Sequence, residues 1–232
     1  MAGSRLRKQA LASEVTIWPT RFRCVVVEGP IGVGKTTLAR RLAEVAGSNP
    51  VLEEPEKNPF LERFYQARDR YALATQLHFL FQRVGQLERL ETEGILKQVR
   101  IYDFMVQKDP LFAKITLDED EFYLYSKIYQ RLVHVAPASC PDLVIYLQAP
   151  LPVLLGRIEQ RGRIFEFGID KNYLQNLVDA YSRYFLAYTE SPLLVVNAAE
   201  INFAESPDDF RQLLHYIQNL GPGRNFYNPT MG

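Results

Sequence analysis

Gly29-Pro30-Ile31-Gly32-Val33-Gly34-Lys35-Thr36 fits the pattern G-x-x-x-x-G-K-[ST], and its flanks set how the rest of the chain is read. Before it, Cys24-Val25-Val26-Val27 is apolar and β-branched, the composition of a buried strand. After it, Thr37 to Glu44 reads as a helix, with Leu38, Leu42 and Val45 recurring at i, i+4 and i+7 on one face. Strand, glycine loop and helix together make a phosphate cradle. The glycines let the backbone curl so that successive N–H groups point at one cluster of oxygens. The helix N-terminus adds a favourable dipole. Lys35 supplies a cation for the terminal phosphates and Thr36 a hydroxyl ligand for Mg²⁺, so Gly29 through Thr37 is the expected triphosphate-binding stretch. The loop implies a nucleoside triphosphate and is silent on what is done with it.

Outward from the loop, short apolar runs alternate with helical patterns. Val51-Leu52-Glu53-Glu54-Pro55 reads as a second strand, Gln98 to Asp103 as a third, Asp142 to Leu147 as a fourth and Leu193 to Asn197 as a fifth. Helices are expected from Asn58 to about Glu93 with a break near Arg68–Arg70, as a short and a long helix within 108–136, from Pro150 to Gln160, from Asp170 to Thr189, and after the cap pair Ser206-Pro207. The tail from Gly221 holds Pro222, Gly223 and Pro229 and reads as irregular. This alternation predicts a three-layer α/β/α sandwich of the P-loop NTPase type, with a five-stranded parallel sheet and an arginine-bearing lid. One domain is expected over 21–220, with a frayed segment at 1–20 and a tail at 221–232. Ligands in such sheets gather at the carboxyl ends of strands, where the phosphate loop, Glu54 and Asp103 all fall.

Bulk composition narrows the classes. The 232 residues balance 27 Lys+Arg against 27 Asp+Glu, which argues against a nucleic-acid binder held by net charge. Two cysteines make no disulfide framework and point to a reducing cytosol. No apolar run approaches the roughly 20 residues of a membrane span. His78, His134 and His215 show no metal-ligand spacing.

Three constellations carry chemistry. Transfer of a phosphoryl group to a hydroxyl needs a proton acceptor and a holder for Mg²⁺. Glu54 and Asp103 are the expected pair, with Glu53 turned to the opposite side of its strand. Arg157 and Arg161 share a helix face, and Arg163 follows a glycine, so three guanidiniums are expected to close over a triphosphate. Gln76 and Arg83 lie two helical turns apart, where an amide and a guanidinium can read the edge of a heterocycle beside aromatics such as Tyr65. A guanine-switch protein would need Asn-Lys-x-Asp and Asp-x-x-Gly segments, and neither occurs.

Taken together, these stretches resemble the deoxynucleoside kinases, most closely the bacterial deoxyadenosine/deoxyguanosine branch. The likeness runs from about residue 22 to 220 through Val27–Thr37, Glu53–Leu61, Gln76–Arg83, Lys108–Ala113, Leu143–Pro150, Arg157–Arg163 and Pro192–Asn197. It implies ATP-dependent phosphorylation of a deoxynucleoside 5′-hydroxyl, a purine by preference, with a pyrimidine or multisubstrate kinase as the alternative. It implies Glu54 as general base, Gln76 and Arg83 on the nucleobase, Tyr65 and Glu166 on the 3′-hydroxyl, lid arginines 157, 161 and 163, and a homodimer. Where many members have Glu-Arg-Ser after the third strand, this chain has Tyr102-Asp103-Phe104, which leaves Asp103 for Mg²⁺. The family's acidic partner of the base-reading arginine aligns with Lys108-Asp109, open by one residue, and Lys108 is the position counted with the substrate.

Overall fold

The structure, a computed structural model, describes residues 18–92, 98–135, 140–203 and 205–229. Residues 1–17 and the side chain of His134 lie outside the described residues. Five parallel strands form the sheet: β1 (Cys24–Glu28), β2 (Arg100–Tyr102), β3 (Leu143–Gln148), β4 (Leu193–Asn197) and β5 (Arg224–Tyr227), in the order β2-β1-β3-β4-β5. Every residue of β1 is buried, as a strand covered on both faces by helices must be. The chain runs outward from β1 in both directions, so the ends of β1 and β3 flank the switch point where such sheets bind ligands.

The helices are α1 (Lys35–Val45), α2 (Leu61–Gln66), α3 (Arg68–Thr92), α4 (Asp109–Thr116), α5 (Glu119–Val135), α6 (Leu151–Arg161), α7 (Lys171–Ala187) and α8 (Pro207–Gln218). The expected break in the long second helical stretch falls at Ala67, whose backbone leaves the helical region between α2 and α3. Asp170 caps α7 through the N–H of Tyr173 at 2.6 Å, and Ser206 caps α8 through that of Asp209 at 3.1 Å. α6 ends on Gly162, whose φ of +64° turns the chain into the lid.

Two strands differ from expectation. The second one shrinks to a single bridge between Val51 and Tyr102. Its next rungs do not form, because the Glu53 N–H bonds to the Asp103 carboxylate at 2.7 Å and Pro55 opens a short 3₁₀ turn. The fifth strand comes from the tail: residues 224–227 pair with β4 at the sheet edge, so 221–229 belong to the domain. At the other end, Trp18 is buried and its indole N–H bonds to the Phe22 carbonyl at 2.7 Å, so the ordered core begins before residue 21.

Candidate active site

β1 delivers the chain into the phosphate loop, and two glycines there have no substitute. Gly29 has φ +148°, and a Cβ on it would strike the Leu147 carbonyl of β3. Gly32 has φ +84°, and a Cβ would lie 2.9 Å from Leu154 O on α6. Lys35 curls back over this loop, its ammonium donating to Gly29 O at 2.8 Å and Pro30 O at 3.2 Å. Burial, assisted by the charge of Lys108, lowers its pKa to about 8.

Thr36 and Asp103 meet as expected: the Thr36 hydroxyl donates to Asp103 Oδ2 at 2.6 Å. Burial and then Glu53 push the Asp103 carboxyl up. A hydroxyl and a carboxylate at the mouth of a phosphate loop suit Mg²⁺, which takes one or two protein oxygens and fills its sphere with phosphate and water. Among the described residues no cluster of three or more His, Cys, Asp or Glu forms a metal cage.

A cavity of about 610 Å³ opens beside these groups, lined by Lys35, Thr36, Asp103, Tyr65, Gln76, Arg83, Glu166, Arg161 and Arg163, among others. Gln76 and Arg83 are both buried on α3. Tyr65 feels Glu166 across the cavity; burial first, then Tyr173 and Glu166, hold its phenol well above the ordinary value. Arg161 grips Glu166 in a forked contact, with Nη2 at 2.5 Å from both carboxylate oxygens and Nε at 3.1 Å from one. Arg163 leans on the Phe165 ring at 5.7 Å.

Two expected placements are corrected, those of Glu53 and Arg157. Glu53, expected to face away, faces the cavity: Arg83 donates to its Oε1 through Nε at 2.9 Å and also through Nη2. Side-chain alternation holds only in an extended strand, and this segment is not one. Burial opposes ionisation of Glu53, yet Arg83, Lys108 and Lys35 outweigh it and pull the carboxyl down to about 2. Glu54 lines the cavity too, at its rim, paired at 2.7 Å with Lys57, whose side chain is 63 % exposed.

The acidic partner of Arg83 is Asp109: its Oδ1 accepts Arg83 Nη1, while burial pushes its carboxyl up to about 7 against the pull of that arginine. Lys108, counted with the substrate, lines the same cavity and pairs its ammonium with Glu28. Arg157 does not line the main cavity that Arg161 and Arg163 share. Its guanidinium is spent on backbone carbonyls, those of Val33 at 3.3 Å, Ala198 at 2.8 Å and Ile201 at 3.1 Å. With Arg161 it lines a second hollow of about 350 Å³ beside the loop, along with Gly34, Thr37 and the Ile201–Phe203 turn.

A phosphate loop at a switch point, a carboxylate–threonine pair and an arginine lid over one cavity define a P-loop kinase of small molecules. A family model described as deoxynucleoside kinase matches residues 25–220, and the chain belongs to that family. It is 35% identical over 201 residues to the deoxyguanosine kinase of Bacillus subtilis (strain 168), an alignment covering 84% of this chain and 96% of that protein. It is 29% identical over 208 residues to the deoxyadenosine kinase of Lactobacillus acidophilus, covering 84% and 95%. The solved structure of a deoxyadenosine kinase from M. mycoides with bound dATP shares the fold at a TM-score of 0.73, with 24% identity, 85% of this chain and 100% of that one.

Proposed function

We propose that this protein transfers the γ-phosphoryl group of ATP to the 5′-hydroxyl of a purine deoxynucleoside. The observation that carries the reading is the array Glu53–Arg83–Asp109, part-buried at Glu53 and buried at the other two, facing the same cavity as the phosphate loop. Arg83, oriented by Asp109, offers planar donors to the edge of a nucleobase, and Gln76 offers a donor and an acceptor beside it. In this scheme Tyr65 and Glu166, which line the same cavity, read the sugar's 3′-hydroxyl. The names of the similar proteins, deoxyguanosine and deoxyadenosine kinases, support a purine acceptor.

The 5′-oxygen attacks the γ-phosphorus, the bond to the bridging β–γ oxygen breaks, and ADP leaves. Glu53, kept ionised by Arg83, receives the hydroxyl proton through its second oxygen, since both arginine contacts fall on Oε1. Glu54 is not given that role, because its carboxylate is held at the rim by Lys57. Lys35, Arg161 and Arg163 bind the phosphates and offset charge that develops during transfer. Thr36 and Asp103 would hold Mg²⁺, which supplies further charge neutralisation when bound. The ATP base fits the second hollow, where Arg157 pins the Ile201–Phe203 turn to the phosphate loop.

The same reading places the protein in the cytosol as a homodimer. Among the described residues no helix is long and apolar enough to cross a membrane. Phe81 on α3 and Tyr123 and Leu124 on α5 stand half or more exposed on two adjoining helices, an apolar face for a second copy. Light scattering is expected to give twice the chain mass, and a monomer at micromolar concentration would remove the dimer.

The decisive assay is a panel of acceptors with γ-labelled ATP. Label is expected in the 5′-monophosphates of deoxyguanosine or deoxyadenosine. Label appearing only in diphosphates formed from nucleoside monophosphates would overturn the acceptor assignment.

A further inference from the structure

Beneath the phosphate loop lies a charged group that the transfer scheme leaves unused. Glu28, the last residue of β1, is fully buried, and the Lys108 side chain is 2% exposed. Lys108 Nζ lies 3.0 Å from Glu28 Oε1 and 3.1 Å from Oε2, and also donates to the Tyr181 hydroxyl at 2.9 Å. Tyr181, on α7, donates in turn to Glu28 Oε2 at 3.0 Å. The carboxylate further accepts the N–H of Met105 at 2.8 Å and that of Gly29 at 3.1 Å.

Gly29 makes this network more than ballast. It opens the phosphate loop, and while its N–H is held by Glu28, its carbonyl accepts the ammonium of Lys35. A single residue, Gly29, therefore separates Glu28 from the lysine that must reach the triphosphate. A buried carboxylate demands a counter-charge, and losing one partner of a buried pair leaves the other uncompensated. With Lys108 in place that demand is met from below, and Lys35 rests on neutral carbonyls it can leave. Without the charge of Lys108, Lys35 is one residue away and is drawn inward.

We infer that Lys108 is a positioning residue for the phosphate-donor side: by neutralising Glu28 it keeps Lys35 available to the triphosphate. Residues 108 and 109 thus divide their work, Asp109 holding Arg83 for the acceptor and Lys108 holding the loop for the donor. The inference rests on the phosphoryl-transfer reading above, but direct ATP binding tests it without an acceptor.

The test uses the full chain with K108M, K108R and the double variant E28Q/K108M, measuring ATP affinity by calorimetry and KM for ATP and deoxynucleoside separately. K108M is expected to weaken ATP about tenfold or more, the scale of one charge-assisted hydrogen bond, while the nucleoside KM stays within about twofold. K108R, which keeps the charge, is expected to bind ATP as the parent does. The double variant has no carboxylate left to capture Lys35, and is expected to recover ATP binding. The inference is overturned if K108M binds ATP like the parent, if it weakens ATP and nucleoside alike, or if E28Q/K108M is as weak as K108M. Should K108M fail to fold, the double variant decides alone: parental ATP affinity supports the inference and a tenfold loss overturns it. If the parent binds ATP but phosphorylates no deoxynucleoside, the acceptor assignment fails while the ATP comparison still stands.

Discussion

The two halves of the cavity are prepared for their ligands in opposite ways. On the acceptor side the charges are already spent on one another: Arg83 is held between Glu53 and Asp109, all largely buried. On the phosphate side the cations rest on neutral partners or are themselves more exposed. Lys35 rests on two carbonyls, and Arg161, about one-third exposed, is anchored to Glu166. A neutral nucleoside carries little energy to organise a site and needs one built in advance. A triphosphate brings several negative charges and can recruit lysine and arginine itself. The acceptor half should therefore fail sharply when one group is changed, and the phosphate half by degrees.

The sharpest break is expected at Glu53. E53Q should lower kcat by about 10²–10⁴-fold, the usual worth of general-base assistance, with the ATP KM little changed in steady-state assays. Next comes Asp109. D109N leaves Arg83 with one anionic partner, and should lower kcat/KM for the nucleoside by about 10–100-fold, as expected for a charged hydrogen bond. Stopped assays with varied nucleoside at fixed ATP measure it.

pH separates the two carboxylates. Glu53, pulled down to about 2, stays anionic across the working range, whereas Asp109, pushed up to about 7, is neutral below that value and anionic above it. Nucleoside kcat/KM reports the free enzyme. It should therefore fall as pH drops through about 7, and D109N should flatten that limb. A limb that persists unchanged in D109N would assign it to another group.

On the phosphate side, R161Q should cost about tenfold in kcat/KM for ATP, one charged contact out of several. The smallest effect belongs to Glu54. Its partner is a well-exposed lysine, so E54Q should change kcat by less than about threefold, as surface pairs do.

How much of this was legible in the chain follows from what each signal encodes. The phosphate loop, the Ser206-Pro207 cap and the Gly162 helix end depend on local backbone chemistry, and residues alone report them. Alternation puts Glu53 on the wrong side, because the rule presumes a paired strand. Whether residues 52–55 pair is decided by Asp103, fifty positions away from Glu53, which takes its N–H. The edge strand at 224–227 hid among glycine and proline. An edge strand is half solvated, and its alternating exposure carries little apolar signal. Helical spacing put Arg157 and Arg161 on one face but could not report that the Ala198 and Ile201 carbonyls would claim the first of them. Likewise Lys108 and Asp109 are neighbours that diverge at the start of α4, and only the packing of Glu28 and Arg83 on either side tells them apart.

The most direct test is a crystal structure with a purine deoxynucleoside and a non-hydrolysable ATP analogue. The 5′-oxygen is expected within about 3 Å of a Glu53 carboxylate oxygen, with Glu54 still on Lys57. A 5′-oxygen bound by Glu54, with Glu53 remote and clamped to Arg83, would contradict the assignment.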